Sequence, residues 1–164
     1  MIYIGIDPGL NGAVGIINED LVPPFEVHDT PTFTVEGSKS KRKYNVPEMA
    51  KILSKFAGRN DVLVILESVH SMPKQGVASS FCFGEGLGMW EGIIAAFGFP
   101  LEMPSPQRWK KAIMADQGKE KDAARFKASQ LFPSISDQFS RVKDDGRAEA
   151  LLLAEYGRRL RKEM

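Results

Sequence analysis

The start of the chain constrains the fold most, because it places an acid at the end of a short apolar strand. Residues 2–7 form a largely β-branched run that ends in Asp7, and a Pro-Gly pair then turns the backbone sharply. A second apolar run at residues 13–18 follows an Asn-Gly pair, which predicts a β-hairpin. The run before Asp7 contains no basic residue that would pair with it. Asp7 therefore needs a structural or chemical explanation.

Residues 61–67 repeat this arrangement. An unbroken apolar run precedes Glu67, and such a run predicts a strand buried on both faces. Two acids at the inner ends of neighbouring strands would repel each other, whereas Mg²⁺ stabilises a carboxylate cluster together with water and phosphate oxygens. Each acid also has a simpler explanation, since an Asp before Pro-Gly is common in turns and Glu67 would be solvated at an exposed strand end.

A third group of acids lies at the start of the last predicted helix. Asp145 and Glu149 are four residues apart and project from one helical face. Together with Asp7 and Glu67 they would hold two Mg²⁺ ions roughly 4 Å apart, an arrangement that hydrolyses phosphodiesters. Asp144 competes with Asp145 for this role, because a helix start cannot be fixed to one residue from sequence. Helix capping and surface charge are the alternative explanations for these acids.

The remaining pattern alternates strands with helices. Residues 25–35 and 99–103 are strand-like, with a break or a sheet edge at Pro31, and residues 38–43 are predicted to be a basic loop. Apolar residues at helical spacing predict helices over 47–56, capped by Asn45, and over 79–97, 107–114, 121–132 and from about Asp144 onward. Strands and helices in this order predict an α/β protein with a mixed sheet covered by helices.

Composition predicts a single domain over residues 1–164, because a chain of this length buries one core comfortably. Its 22 basic and 21 acidic residues give a net charge of +1, so any nucleic-acid binding must depend on local clusters. Cys82 is the one cysteine, which excludes an internal disulfide framework and fits a reducing compartment. No segment looks like a targeting sequence or a membrane span, and we expect a cytoplasmic protein of a bacterial or phage-infected cell.

Several different short motifs are distributed along nearly the whole chain. They are residues 4–9 (Ile-Gly-Ile-Asp-Pro-Gly) with Gly12 and Ala13, Leu66 with Glu67, 73–76 (Pro-Lys-Gln-Gly), 80–84 (Ser-Phe-Cys-Phe-Gly), 88–92 (Gly-Met-Trp-Glu-Gly), 104–106 (Pro-Ser-Pro) before Trp109 and Lys110, and 145–151 (Asp-Gly-Arg-Ala-Glu-Ala-Leu). In this order and spacing, the motifs resemble those of Holliday-junction resolvases of the RuvC type, within the ribonuclease H-like superfamily.

This resemblance implies a ribonuclease H-like, mixed five-stranded sheet flanked by helices. It implies a homodimeric endodeoxyribonuclease that resolves four-way DNA junctions by paired cuts, with two Mg²⁺ ions per active site and Mn²⁺ as a substitute. The implied metal ligands and catalytic residues are Asp7, Glu67, Asp145 and Glu149, with Asp144 as the alternate. The chain departs from the common resolvase pattern, in which the last acid is Asp and its partner lies three residues earlier, because here those positions hold Glu149 and Gly146.

The glycines at 84, 88 and 92 are spaced four apart on one helical face, where small residues let another backbone approach closely. The resemblance implies that Gly84, Gly88 and Gly92 form the dimer interface, whereas packing against the helix's own sheet is the alternative. Phe81 and Phe83 are candidates for stacking on bases at an opened junction, with core packing as the alternative.

Further candidates for DNA binding are basic or polar residues that flank strand ends and helices. The resemblance suggests phosphate contacts for some of them, and the cluster around residue 42 would hold a duplex arm or form a solvated loop. These candidates are Lys74, Gln75, Lys110, Lys111, Lys119, Lys121, Lys41, Arg42 and Lys43.

Two rival functions share part of the pattern. An actin-like ATPase or sugar-kinase domain also has an Asp-Pro-Gly phosphate hairpin, but the chain lacks a second glycine-rich phosphate loop of the Asp-x-Gly type and supplies one lobe rather than two. A non-catalytic, junction-binding dimer would have no use for the full set of acids. ATP turnover would identify the first rival, and absence of metal-dependent nicking would identify the second.

Overall fold

The chain folds around a mixed five-stranded sheet with helices on both faces, as predicted. The computed structural model describes residues 1–37, 41–69, 76–118 and 120–163. The sheet has the strand order β3-β2-β1-β6-β7, and a separate two-stranded ribbon pairs β4 with β5. The strands are β1 (Ile2–Asp7), β2 (Ala13–Asn18), β3 (Phe25–Asp29), β4 (Thr32–Val35), β5 (Lys41–Tyr44), β6 (Val62–Leu66) and β7 (Leu101–Glu102).

The first two strands form the predicted antiparallel hairpin, in which Asp7 pairs with Ala13 at the turn end. β1 is the middle strand of the sheet, and β6 runs parallel to it with Ile6 opposite Leu66. Because parallel strands end at the same edge of a sheet, this register brings Asp7 and Glu67 to neighbouring positions. The predicted break at Pro31 is also confirmed, since β3 ends at Asp29 and β4 belongs to the separate ribbon.

The helices agree with the apolar spacing of the sequence to within about two residues, the usual uncertainty of helix ends. Asn45 caps the first helix as predicted, because its side chain accepts a hydrogen bond from the backbone N–H of Glu48. The helices are α1 (Val46–Ser54), α2 (Val77–Phe97), α3 (Pro106–Ile113), α4 (Ala123–Leu131) and α5 (Asp145–Glu163), with short 3₁₀ segments at Pro133–Phe139 and Val142–Asp144.

Two apolar cores lie on opposite faces of the sheet. One face packs against α1 and α2, with Met49 and Trp90 fully buried, and the other packs against α3, α4 and α5, with Trp109 and Leu152 fully buried. Alternate residues of β1 contribute to the two cores because successive strand side chains point to opposite faces. Within the described ranges, no helix combines the length and the apolar character that a bilayer span requires.

Two glycines allow α5 to lie directly on the strands that carry the first acid. A Cβ at Gly5 would lie 2.0 Å from the backbone oxygen of Ala150, and one at Gly15 would lie 2.5 Å from the backbone nitrogen of Leu151. Neither distance is possible for a real side chain, so only glycine permits this approach. The acidic start of α5 is thereby held close to the end of β1.

The prediction of a basic loop over residues 38–43 is wrong for its second half. Residues 41–44 form β5, which pairs with β4 so that Phe33 lies opposite Lys43 and Thr32 lies opposite Tyr44. The strand has a physical anchor, since Tyr44 is buried in the core and its hydroxyl donates to the backbone oxygen of Pro8. A run of lysine and arginine conceals this anchor in the sequence.

Candidate active site

Three of the predicted acids lie near the same edge of the sheet. Asp7 ends β1, and Glu67 directly follows β6, where its backbone N–H donates to the oxygen of Ile6. Glu149 lies one turn into α5 and influences the titration of both other carboxylates. The structure therefore brings together acids that are far apart in the sequence.

The charges of these carboxylates influence one another's ionisation. Burial, followed by the charges of Glu149 and Glu67, raises the pKa of Asp7 to about 7, against opposing effects of the Gly9 backbone and Lys110. Burial also raises the pKa of Glu67, which is 7% exposed, and the charge of Glu149 adds to that increase. Each ionised acid disfavours ionisation of the next, so a bound cation would stabilise the group.

Lys110 supplies a positive charge to this group. Its Nζ lies 2.7 Å from Oε1 of Glu149 and 5.1 Å from the ring centroid of Trp109. Burial alone would lower the pKa of Lys110. The hydrogen bond and the charge of Glu149 outweigh this effect, so the pKa of Lys110 is raised overall. Lys110, a candidate for phosphate contact from sequence, thus lies within the acidic site itself.

Trp109 orients Glu67. The indole Nε1 donates to Oε1 of Glu67 at 2.8 Å, and this hydrogen bond opposes the effect of burial on the pKa of Glu67. The pair is buried, because Trp109 is fully enclosed between α3 and the sheet. A partner that fixes the orientation of a metal-binding carboxylate commonly affects metal affinity as well.

We expect Trp109→Phe to weaken divalent-metal binding at these carboxylates by about 10- to 100-fold, because it removes the donor that orients Glu67 while keeping an aromatic ring in the core. Calorimetric titration of the protein with Mn²⁺ would measure the effect. Trp90→Phe is the matched control, since Trp90 is equally buried and its Nε1 has no hydrogen-bond partner among the described residues. Equal losses in the two variants would show that only packing matters.

Carboxylate oxygens are suitable ligands for a hard divalent cation, but these acids do not form a preformed metal site. In the described part of the chain, no three His, Cys, Asp or Glu side chains are grouped closely enough to form a ready metal site. Mg²⁺ does not require such a cage, because it typically binds one or two protein carboxylates and completes its shell with water and substrate phosphates. The mutual repulsion of Asp7, Glu67 and Glu149 is the observation that fits a cation here.

The start of α5 separates the two competing aspartates. Asp145 lines the same cleft as Asp7 and Glu149, and its Oδ1 accepts from Nε of Arg125 at 2.7 Å. Asp144 lines only a neighbouring pocket, which Asp145 also borders, and it is 1% exposed and ion-paired with Arg141 at 2.8 Å. Asp145 therefore lies on the side of the acidic cleft, and Asp144 lies in the ion pair that precedes α5.

Gly146 explains why the chain departs from the common resolvase pattern at this position. A Cβ on Gly146 would lie 2.4 Å from the backbone oxygen of Asn11 and 3.2 Å from Oδ2 of Asp7. An aspartate cannot occupy this position without moving the turn that follows β1. The close packing of this turn against α5 leaves the neighbouring residue, Asp145, as the acid available to the cleft.

We expect Asp144→Asn to lower stability by about 1–3 kcal/mol, because it weakens the partly buried ion pair of Asp144 with Arg141 and the hydrogen bond from the Arg141 backbone. The side-chain hydrogen bonds from Arg141 lower the pKa of Asp144, so its contribution is present above the unfolded pKa of about 3.9 and is lost as the pH falls through the folded value. Urea unfolding at several pH values would measure this. Asp145→Asn should instead weaken Mn²⁺ binding with little loss of stability, and the reverse pattern would exchange their roles.

Asp7, Asp145 and Glu149 line a cleft with a volume of about 670 Å³, whereas Glu67 is not among its lining residues. The turn after β1 and the start of α5 form one wall, and the start of α2 forms the other, with Phe83 and Cys82 facing the cleft. Phe81 is 73% exposed and belongs to neither core, and Phe83 is partly buried beside Gly9. Neither phenylalanine is therefore part of an apolar core, which was the alternative explanation for them.

The other candidate DNA-binding residues are placed differently. Lys121 is exposed and lines the cleft, and Lys111 is exposed on α3. Arg42 bonds to the side chain of Asn11 at the cleft rim. Lys74, Gln75 and Lys119 lie outside the described residues, as does Lys39 in the basic cluster.

The three spaced glycines of α2 face away from the protein's own core. A Cβ added at Gly84, Gly88 or Gly92 would meet nothing within 4 Å, whereas one at Gly86 would clash with the side chain of Tyr44 at 2.3 Å. Gly86 is therefore the glycine that packs this helix onto the fold. The alternative explanation for the spaced glycines, packing on their own sheet, is wrong.

Sequence reasoning missed the partners of the acids. Trp109, Arg125 and Arg141 each contact one carboxylate, and Arg147 forms a further ion pair with Asp29 at 2.6 Å. Trp109 and Arg147 belong to the motifs that carry the family resemblance, which was the available signal. Arg125 and Arg141 lie in segments with no such signal.

Comparisons with known proteins give a partial sequence match and structural matches over almost the whole chain. No family model matches the chain. Over 85 residues, or 52% of this chain, it is 31% identical to the chloroplastic Holliday junction resolvase MOC1 of Chlamydomonas reinhardtii. The chain spans only about 10% of the length of that relative.

Solved structures of RuvC from Thermus thermophilus match almost the whole chain. RuvC in complex with a Holliday junction substrate has a TM-score of 0.56 and 13% identity, covering 98% of this chain and 96% of that one. A second Thermus thermophilus RuvC structure has the same TM-score and coverage with 16% identity.

The chain has a RuvC-type, ribonuclease H-like fold with a cleft of carboxylates at one edge of its central sheet. The fold predicted from the motifs is thereby confirmed. The local similarity to a named Holliday junction resolvase agrees with the same resemblance.

Proposed function

We propose that the chain is a metal-dependent endodeoxyribonuclease that resolves four-way DNA junctions. The observation that carries this proposal is the placement of Asp7 and Glu67 at adjacent strand ends near Glu149 of α5. There the charges of Glu149 and Glu67 raise the pKa of Asp7, and the charge of Glu149 raises the pKa of Glu67. MOC1 is named as a Holliday junction resolvase, and the matching RuvC structure is described with a Holliday junction substrate. These relatives support a branched DNA as the substrate.

The carboxylates would hold divalent cations in the cleft. Asp7, Glu67 and Glu149 are the ligands that the electrostatics favour, and Asp145 is the acid of α5 that can join them from the same cleft. When bound, a pair of Mg²⁺ or Mn²⁺ ions supplies an activated water and stabilises charge on the leaving oxygen. Sequence reasoning expected two ions, and that number remains part of the proposal.

The protein's own groups orient the reacting strand. Trp109 fixes the position of Glu67, and Lys110 places a positive charge beside Glu149 at the place where a scissile phosphate would bring negative charge. Lys121, exposed at the cleft, is available for a phosphate on the same strand. Phe83 faces the cleft and Phe81 projects into solvent, positions from which aromatic rings can stack on unpaired bases.

Paired cuts require two active sites, and a homodimer through α2 would supply them. The outward glycines permit a close approach of a second helix, because no part of the described chain covers them. The exposed side chain of Val77 lies on the same helix and would add apolar contact area. A cytoplasmic location stays a prediction from sequence.

The proposal is tested by comparing labelled four-way, three-way and linear DNA with and without Mg²⁺. We expect cuts at symmetrical positions on opposite strands of the four-way junction, only with the metal. Equal cutting of linear DNA would mean a non-selective nuclease. Binding without any cutting over a range of Mg²⁺ and Mn²⁺ would mean a non-catalytic junction-binding protein, and ATP turnover would favour the actin-like alternative.

A further inference from the structure

The ribbon of β4 and β5 has two faces with different chemistry. In an antiparallel pair, residues directly opposite each other project from the same face. The register places Thr34 opposite Arg42 and Thr32 opposite Tyr44, which defines the inner face. The outer face consists of the other two pairs, Phe33 with Lys43 and Val35 with Lys41.

The inner face is attached to the active-site rim. Tyr44 is buried, and its hydroxyl donates to the backbone oxygen of Pro8, one residue after Asp7. Arg42 donates to the side chain of Asn11 in the same turn. These two contacts attach the ribbon to the turn beside the cleft, so the outer face lies next to the site.

The outer face is exposed and combines apolar with basic side chains. Phe33 is 48% exposed and Val35 is 42% exposed, and Lys41 and Lys43 are exposed as well. Neither lysine forms an ion pair with any carboxylate in the part of the chain that the structure describes. Glu36, the nearest acid in sequence, lies outside the paired strands.

We propose that the outer face of the ribbon binds a duplex arm of the DNA substrate outside the catalytic cleft. This inference rests on the proposed nuclease function, because the occupant is the continuation of the strand whose phosphate enters the cleft. Charge complementarity selects DNA, since Lys41 and Lys43 are available for two phosphates. The aromatic ring of Phe33 lies directly beside Lys43 and can pack against the sugar edge of the same arm.

The same structure separates Arg42 from its two neighbours in sequence. A solvated loop would leave residues 41, 42 and 43 equivalent, whereas the ribbon turns Arg42 toward the active-site turn and its neighbours away from it. The lysines should therefore control the affinity for an arm, and Arg42 should act as a positioning residue through Asn11. Substitution of the lysines and substitution of Arg42 should therefore have different effects on DNA binding and on cleavage.

The test measures binding of a labelled four-way junction by fluorescence anisotropy at a series of salt concentrations, in EDTA so that no cutting occurs. The double variant Lys41→Gln with Lys43→Gln should reduce the slope of log affinity against log salt by about 2, close to one for each lost phosphate contact. Phe33→Ser should weaken binding at every salt concentration without changing the slope. In a separate assay with Mg²⁺, Arg42→Gln should lower the cleavage rate at saturating DNA, while its salt slope in EDTA stays close to that of the wild type.

The matched control is Lys51→Gln with Lys55→Gln, which removes the same charge from exposed positions of α1 and its C-terminal end. An unchanged slope in the ribbon variant, or an equal decrease in the control, would overturn the inference. If the wild type binds with the expected slopes but never cuts, the nuclease proposal fails and the ribbon inference stands. If it cuts junctions and all slopes are equal, the ribbon inference alone fails.

Discussion

Asp7→Asn should abolish junction cleavage while leaving junction binding and the oligomeric state intact. Asp7 ends the middle strand of the sheet and faces both Glu67 and Glu149, so its carboxylate is the one shared by the whole proposed metal site. Loss of this ligand should slow the reaction by at least about a thousandfold, equivalent to about 4 kcal/mol of transition-state stabilisation. Single-turnover cleavage of a labelled junction, alongside anisotropy for binding, would measure both quantities.

The same variant has an unusual expected effect on stability. The pKa of Asp7 is raised to about 7, chiefly by burial, so the ionised carboxylate destabilises the folded protein when no metal is bound. This penalty begins above the unfolded pKa of about 3.9 and is complete above the folded value. At pH 8 in EDTA, Asp7→Asn should therefore unfold at a higher temperature than the wild type.

Addition of Mg²⁺ should then raise the unfolding temperature of the wild type and not that of Asp7→Asn, because a ligand that binds only the folded state stabilises it. Asp29→Asn is a useful control, since Asp29 is an exposed carboxylate at a neighbouring strand end that pairs with Arg147 instead of with the acidic group. A variant of Asp7 that retains cleavage and the Mg²⁺ response would remove this residue from the proposed site.

Gly88→Leu should convert the proposed dimer into a monomer. Position 88 faces open space in the single chain, so the protein's own fold has room for a leucine. Leucine also favours a helix over glycine by up to about 1 kcal/mol, and the monomer should be at least as stable as the wild type. In a dimer that brings two copies of α2 together, the same side chain would block the close approach of the backbones.

Sedimentation velocity should show dissociation at concentrations about a hundredfold higher than for the wild type, corresponding to about 2.7 kcal/mol of lost association energy. Paired cutting of the junction should fall with the dimer. Gln130→Leu places the same side chain at an exposed position of α4 and should leave the wild-type mass unchanged. If Gly88→Leu stays dimeric with normal paired cutting, the interface is formed by another surface.

Most of the sheet could be predicted because its strands carry strong local signals. The hairpin of β1 and β2 is recognised by two apolar runs around a tight turn, and β6 by an unbroken apolar run. The glycine pattern of α2 located the helix but did not reveal which glycine faces inward. That distinction depends on Tyr44, which contacts Gly86 from a strand more than forty residues away.

The details of the site depended on contacts that no local pattern records. The hydrogen bond from Trp109 to Glu67 joins residues 42 positions apart, and the Lys110–Glu149 pair joins residues 39 apart. The different surroundings of Asp144 and Asp145 depend on the exact start of α5 and on the ion pair with Arg141. The ribbon was missed because a run of basic residues hides the single buried anchor, Tyr44.

The most direct test of the account is to locate bound metal ions. Crystals of the protein soaked in Mn²⁺ would give anomalous scattering peaks at each bound ion. We predict at least one peak between the carboxylates of Asp7, Glu67 and Glu149, and no such peak in crystals of Asp7→Asn. A well-occupied Mn²⁺ elsewhere, with these carboxylates free of metal, would contradict the central claim.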